Sequence, residues 1–338
     1  MKILKYIALV LAAFLWLEGC SSGLSTWLFE HGLVKDDYRY GDLYRLSNLA
    51  KFRELKETCA TPNLEKEQGV HLVLAGDSFT EFGRMDSSNF IASKYNYIRV
   101  DGNTDISLDT AEFNVLVIET VERHFRERFT SVWNGVNVVD GNGSSPVDVV
   151  KESFFKRAVD FELPYSTELH EGVLFGYDFM MTIKDWKAAL NYKLFDRVDD
   201  NVRLNKTGEH LLYYLPSEPG ISSAFDKIGD EEIETLVTYV NETSQKYKAR
   251  GFDKVILSII PNKTSILGRD LGNYNQLITR VHNHPNLSVE IIDAFGALNK
   301  LGDSGFAKGD THWNCRGKLA WENLLNDALR AKVSQEVF

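Results

Sequence analysis

The chain has 338 residues, with 38 Lys+Arg against 48 Asp+Glu and a formal net charge of -10. Hydrophobic residues make up 43% and charged residues 25%, values ordinary for a folded protein, which exclude wholesale disorder and fibrous or coiled-coil character. At roughly 100–200 residues per domain the length fits one large or two medium domains, and the acidic balance argues against a nucleic-acid partner, since phosphate contacts need a basic face.

Lys2 and Lys5 precede an apolar run from Tyr6 to Leu17. A charged start followed by a short apolar stretch is the layout of a secretory signal. Leu17-Glu18-Gly19-Cys20 resembles a bacterial lipobox, with Glu18 at a position that normally holds a small or apolar residue. Residues 1–20 therefore read as a signal anchor or a lipoprotein signal with Cys20 as the lipidation site, or else as a cleaved leader. All three place the body outside the cytosol, and the first two hold it at the cell envelope with the membrane reached through the N-terminus. Of the three cysteines, Cys59 and Cys315 remain either as a disulfide pair or as two separate thiols.

Residues 21–68 are mixed and read as a membrane-proximal stalk with short helices, with helical spacing from Leu43 to Leu55. The pattern then changes. Short apolar runs at 70–75, 97–100, 115–118, 254–260 and 289–292 each stop at Gly, Asp, Glu or Pro, as buried parallel strands do. Helical periodicity covers 231–250, 274–283 and 317–332. The first of these has acids leading, bases trailing and Gly251 after it. Strands alternating with helices imply an α/β fold over residues 69–338, a three-layer α/β/α arrangement around a mainly parallel sheet. Residues 130–229 break this rhythm and read as a large insertion after the third strand. It is expected to be helical near 153–158 and 183–194 and extended near 211–214. Trp133, Trp186, Tyr213 and Tyr214 in it suit either a glycan groove or core packing.

Ligands of such sheets bind beyond the carboxyl ends of the strands. Gly76-Asp77-Ser78 follows the first strand, where a tight turn exposes a serine as nucleophile and aims its N–H at a developing oxyanion. Gly309-Asp310-Thr311-His312-Trp313 precedes the last helix. Asp310 and His312, two apart in an extended turn, can pair as carboxylate and base. This predicts Ser78 Oγ within hydrogen-bond reach of the His312 ring, with Asp310 on its far side. His282 and His284 show no third ligand, and no metal or cofactor is expected.

Together these motifs resemble the SGNH/GDSL hydrolase superfamily, over about residues 70–127 and 231–330. Asp-x-His-Trp in place of Asp-x-x-His, Glu119-Thr120-Val121-Glu122-Arg123 and Ile260-Pro261-Asn262-Lys263 are similar to its alginate O-acetyltransferase-like branch. The resemblance implies Ser78 as nucleophile, His312 as base and Asp310 as orienting carboxylate. It also implies an oxyanion hole from the Ser78 and Gly102 N–H groups. The usual Gly-x-Asn-Asp block is missing: Glu119 and Arg123 stand in its place. Asn103 is a substitute donor, or else Arg123 supplies positive charge or pairs with Glu119. Glu119, Arg123, Lys263 and Trp313 are the expected substrate-binding residues. The activity implied is O-acyl transfer to, or hydrolysis from, an exported polysaccharide, with a membrane-bound acyltransferase as acyl-donating partner. The competing expectation is a non-catalytic glycan-binding or assembly subunit.

Overall fold

Val70, Leu72 and Leu74 of the first strand join one hydrophobic cluster, and Val73 and Ala75 another. A strand apolar on both sides must be covered on both sides. The structure, a computed structural model, describes residues 2–34, 37–139, 154–159, 176–214 and 217–333. It divides into two compact units, Met1–Lys56 with Pro146–Asp199, and Glu57–Ser145 with Asp200–Phe338.

The second unit contains the sheet. In chain order its strands are β1 (Glu67–Gly76), β2 (Ala92–Arg99), β3 (Thr104–Ile106), β4 (Phe113–Val121), β5 (Val136–Val138), β6 (Val202–Leu204), β7 (Leu211–Tyr213), β8 (Lys254–Ile260) and β9 (Glu290–Ile292). Five of them form the central sheet in the order β2-β1-β4-β8-β9, with every neighbouring pair parallel. The pairs β3–β5 and β6–β7 are small separate sheets.

The helices of this unit are α1 (Glu122–Arg128), α2 (Asp230–Lys248), α3 (Lys263–Leu267), α4 (Leu277–His282), α5 (Ala294–Leu301) and α6 (Cys315–Val333). Ile233, Leu236, Val237 and Val240 of α2, with Phe125 of α1 and Val281 of α4, cluster with Val73, Leu116 and Leu257 of the strands. Trp321, Leu325 and Leu329 of α6, with Leu298 of α5, cluster with Leu72, Val115 and Ile256. The strand residues alternate between these clusters, so helices cover both faces of an α/β sheet. Trp321 is fully buried, and its indole N–H donates to Ser258 Oγ at 2.8 Å. Pairing of Val121 with Ile260, and of Ala75 with Ile118, brings the carboxyl ends of β1, β4 and β8 to one edge.

Cys59 and Cys315 form a disulfide that ties the segment before β1 to the start of α6. Residues 57–68, read from sequence as stalk, thus belong to the sheet unit. The expected insertion at 130–229 is divided too: residues 146–199 cluster with the N-terminal segment and the rest with the sheet.

The other unit is helical, with helices at Lys2–Gly19, Ser22–Glu30, Asp42–Ser47, Phe154–Val159 and Asp178–Phe195. The helical spacing from Leu43 to Leu55 gives one short helix, ended by Asn48 in the left-handed conformation (φ 50°), and a 3-10 turn at Ala50–Phe52. The Ser21 hydroxyl caps Ser22–Glu30 by accepting from the Leu24 N–H. Glu18 is buried, accepts from the Ser25 hydroxyl, and has its carboxyl pushed up by burial. Cys20 is a buried free thiol. Among the described residues no helix is long and apolar enough to cross a membrane.

Candidate active site

At the end of β1 the chain turns sharply, with the Thr80 N–H donating to Asp77 O at 3.2 Å. The turn is held from below by two acids. Asp77 accepts from the Phe79 N–H at 3.0 Å and from the Val121 N–H at 2.7 Å, which fastens it to the end of β4. Glu119 Oε2 accepts from the Asp77 N–H at 2.9 Å and from the Thr80 hydroxyl at 2.8 Å. A Cβ on Gly76 would fall 1.9 Å from Thr80 Oγ1, so the close approach of Thr80 requires glycine there. The Tyr97 hydroxyl donates to Gly76 O at 2.9 Å. Ser78 stands half-buried at the top of this turn. Glu119 is fully buried, and burial first, then the neighbouring Asp77 charge, hold its carboxyl well above the usual glutamate range.

The loop before α6 supplies the other half. Lys263, at the start of α3, donates its ammonium to the carbonyls of Ala307 at 2.6 Å, Lys308 at 3.1 Å and Asp310 at 3.0 Å. Those bonds brace the backbone that leads into Asp310-Thr311-His312. Asp310 Oδ1 accepts from the His312 N–H at 3.0 Å and lies 2.5 Å from His312 Nδ1. His312 Nε2 lies 3.0 Å from Ser78 Oγ. A carboxylate only accepts, so it holds the proton on Nδ1 and leaves Nε2 as the acceptor facing Ser78. The Phe79 ring packs against the imidazole with centroids 4.5 Å apart, and edge-on against Trp313 at 5.0 Å.

A cleft of about 730 Å³ opens beside Ser78, with Arg99, Arg123, His124 and Arg128 among its lining. Arg99 is paired with Asp101, Nη2 to Oδ2, at 2.9 Å. Arg128 donates to Thr120 Oγ1 at 2.6 Å, and Arg123 to Asn262 Oδ1 at 3.4 Å. His124 Nδ1 contacts Gly220 O at 2.6 Å, and burial holds its imidazole below the ordinary range, with Arg123 and Arg128 adding to the shift. The His124 ring is therefore neutral near pH 7, with Nδ1 donating to that carbonyl.

The structure brings Ser78, His312 and Asp310 into one hydrogen-bonded chain and puts Arg123 on the cleft beside it. It corrects the other expected contacts. Glu119 lies inside β4 under the nucleophile turn and neither meets substrate nor bonds Arg123. Lys263 is 3% exposed and spends its ammonium on backbone carbonyls. Trp313 is buried among Phe79 and Trp321. The Gly102 N–H, expected at the oxyanion, donates to Arg99 O at 2.9 Å, although Gly102 lines the cleft. Asn103 is exposed and outside the cleft lining.

The sequence alone does not single out His124 and Arg128. Their spacing of four along α1, directly after a strand end, was the available signal. Glu122, within the motif after the third strand, accepts from the Asn262 N–H at 2.9 Å and the Tyr274 hydroxyl at 2.8 Å, tying α1 to the start of α3. Comparison with known proteins gives no matching family model, no matching curated protein and no matching solved structure.

Proposed function

We propose that this protein is a serine-dependent O-acyl transferase or esterase of the SGNH type. It acts outside the cytosol on acyl groups, acetyl foremost, of a surface or exported polysaccharide. The observation that carries the reading is the chain Ser78 Oγ–His312–Asp310 at 3.0 and 2.5 Å beside an open cleft.

In this reading His312 Nε2 removes the Ser78 hydroxyl proton as Oγ attacks the acyl carbonyl. Asp310 keeps the Nδ1 proton in place and stabilises the imidazolium. The tetrahedral intermediate collapses, the donor oxygen leaves with the proton from His312, and acyl-Ser78 remains. A sugar hydroxyl or water then gives its proton to His312 as it attacks the acyl carbon, and His312 returns that proton to Ser78 Oγ as the acyl–Oγ bond breaks. The Ser78 N–H has no hydrogen-bond partner among the described residues and is open to an oxyanion. Arg123 supplies the second, cationic contribution that Gly102 does not.

An extracytoplasmic site is supported by the basic-then-apolar N-terminus and by the Cys59–Cys315 disulfide, which suits an oxidising compartment. The N-terminal segment tethers the chain to the envelope as signal anchor or through a lipid on Cys20, and a membrane-bound acyltransferase supplies the acyl group.

A non-catalytic glycan-binding subunit is the second reading. It is favoured by one observation, that the Gly102 N–H is already bonded within its own turn. Hydrolysis of an aryl acetate by the purified protein separates the two. The proposal expects Ser78→Ala to lose at least about 10³-fold in kcat, and Arg123→Ala about 10²–10³-fold. Equal turnover by wild type and Ser78→Ala sinks the catalytic reading.

A further inference from the structure

The helix Asp178–Phe195 is built inside out. Phe179, Ile183, Trp186, Leu190 and Leu194 are all more than half exposed. At 3.6 residues per turn they fall within about 80° of arc, one continuous apolar stripe along the helix. The opposite side is the one that packs, and it buries Met181 together with a charged residue. Asp185 is buried there, accepting from the Tyr44 hydroxyl at 2.6 Å and from Arg53 at 3.1 Å. Asp178, at the helix start, pairs with Arg39 and Arg53 at 2.5 and 3.1 Å. Water opposes an apolar stripe of this size, and isolated exposed apolar residues do not explain five in register.

We propose that this stripe lies in the surface of an anionic lipid bilayer, making the helix a second, interfacial membrane contact of the chain. Two observations select lipid as the occupant. First, the same compact unit contains the N-terminal helix Lys2–Gly19, which exposes large apolar residues on all sides, from Ile3 and Leu4 to Trp16 and Leu17. A helix that is apolar all round suits a hydrocarbon medium. Second, both acids of Asp178–Phe195 are neutralised by arginines, whereas Lys187 and Lys193 are exposed on the two flanks of the stripe. An apolar face bordered by lysines fits a negatively charged lipid surface. An 18-residue helix with two buried or ion-paired aspartates cannot cross the bilayer, so it lies along it. This inference does not depend on the acyl-transfer reading.

The test uses the full chain bound to phosphatidylcholine/phosphatidylglycerol vesicles, with bimane on Leu190→Cys and, in a second protein, on Thr238→Cys. The unsubstituted chain, with its buried Cys20, is labelled in parallel as background. Acyl chains carrying bromine quench only fluorophores that enter the bilayer. The expected result is a blue shift and loss of emission at position 190, deepened by Lys-neutralising anionic lipid, with position 238 unaffected. A probe at 190 that stays water-like and unquenched while the protein floats with the vesicles overturns the proposal. So does an Ile183→Cys chain that forms an intermolecular disulfide as a sedimenting dimer without lipid, since a second copy would then cover the stripe. Aryl acetate turnover of the same labelled proteins is read alongside and is expected to be unchanged.

Discussion

Two helices of nearly equal length, Asp230–Lys248 and Asp178–Phe195, carry the same apolar spacing and use it in opposite ways. In the sheet unit Ile233, Leu236, Val237 and Val240 turn inward and the charges face out. In the helical unit the apolar row faces out, and Met181 and Asp185 are the buried pair. Periodicity records that a helix has two unlike faces; the surrounding medium decides which is buried. One unit is organised around a buried apolar interior, while the long helix of the other leaves its apolar row exposed.

Substitutions can break that contrast, beginning where the effect is largest. Trp321→Ala removes the fully buried ring of α6 and its bond to Ser258, and should cost about 3–5 kcal/mol in denaturant unfolding. Trp186→Ala, at 72% exposure, should stay within about 0.5 kcal/mol. Equal losses at both would mean that Trp186 has a packed partner and that the contrast is false.

Cys59→Ser should cost about 2–5 kcal/mol by opening the link to α6. Reductant should lower the melting temperature of the wild type and leave the variant where it is. A variant that melts with the oxidised wild type would remove the disulfide from the account.

The pH-dependent effect belongs to Glu119. Glu119→Ala leaves the Asp77 N–H and the Thr80 hydroxyl without their acceptor, about 1–3 kcal/mol for each group left unpaired. Glu119→Gln keeps an acceptor and should keep most activity. The folded carboxyl is held above its ordinary value, so its stabilisation is complete below the usual glutamate range and is lost as pH rises through the folded value. Wild type should therefore lose stability relative to Glu119→Gln as pH rises. A difference that is flat with pH would mean that Glu119 is ionised in the folded protein.

Much of the sheet was legible because buried parallel strands are apolar on both faces. The run at 70–75 lies within β1, and that at 254–260 coincides with β8. β2 was read only in its last part, 97–100, because Ser93, Lys94 and Asn96 of this edge strand are polar. The strands β3, β5 and β6, three residues each, are too brief to show a period. The positions of Ser78, Asp310 and His312 could be read because chemistry at a parallel sheet sits at strand ends. Which charged neighbours reach the cleft could not. Lys263 and Glu119 look like site residues in sequence, yet the lysine donates to three carbonyls and the acid accepts from an N–H and a hydroxyl inside the fold. Only the fold shows those partners.

The central claim is that Ser78 is made nucleophilic by His312 and Asp310. Fluorophosphonate labelling of the full chain, read by mass on the peptide containing Ser78, tests it most directly. The account predicts one adduct on Ser78, none in Ser78→Ala, and labelling in His312→Ala slowed by about 10³-fold or more. A wild-type chain that takes no label, or a His312→Ala chain that labels as fast as wild type, would contradict it.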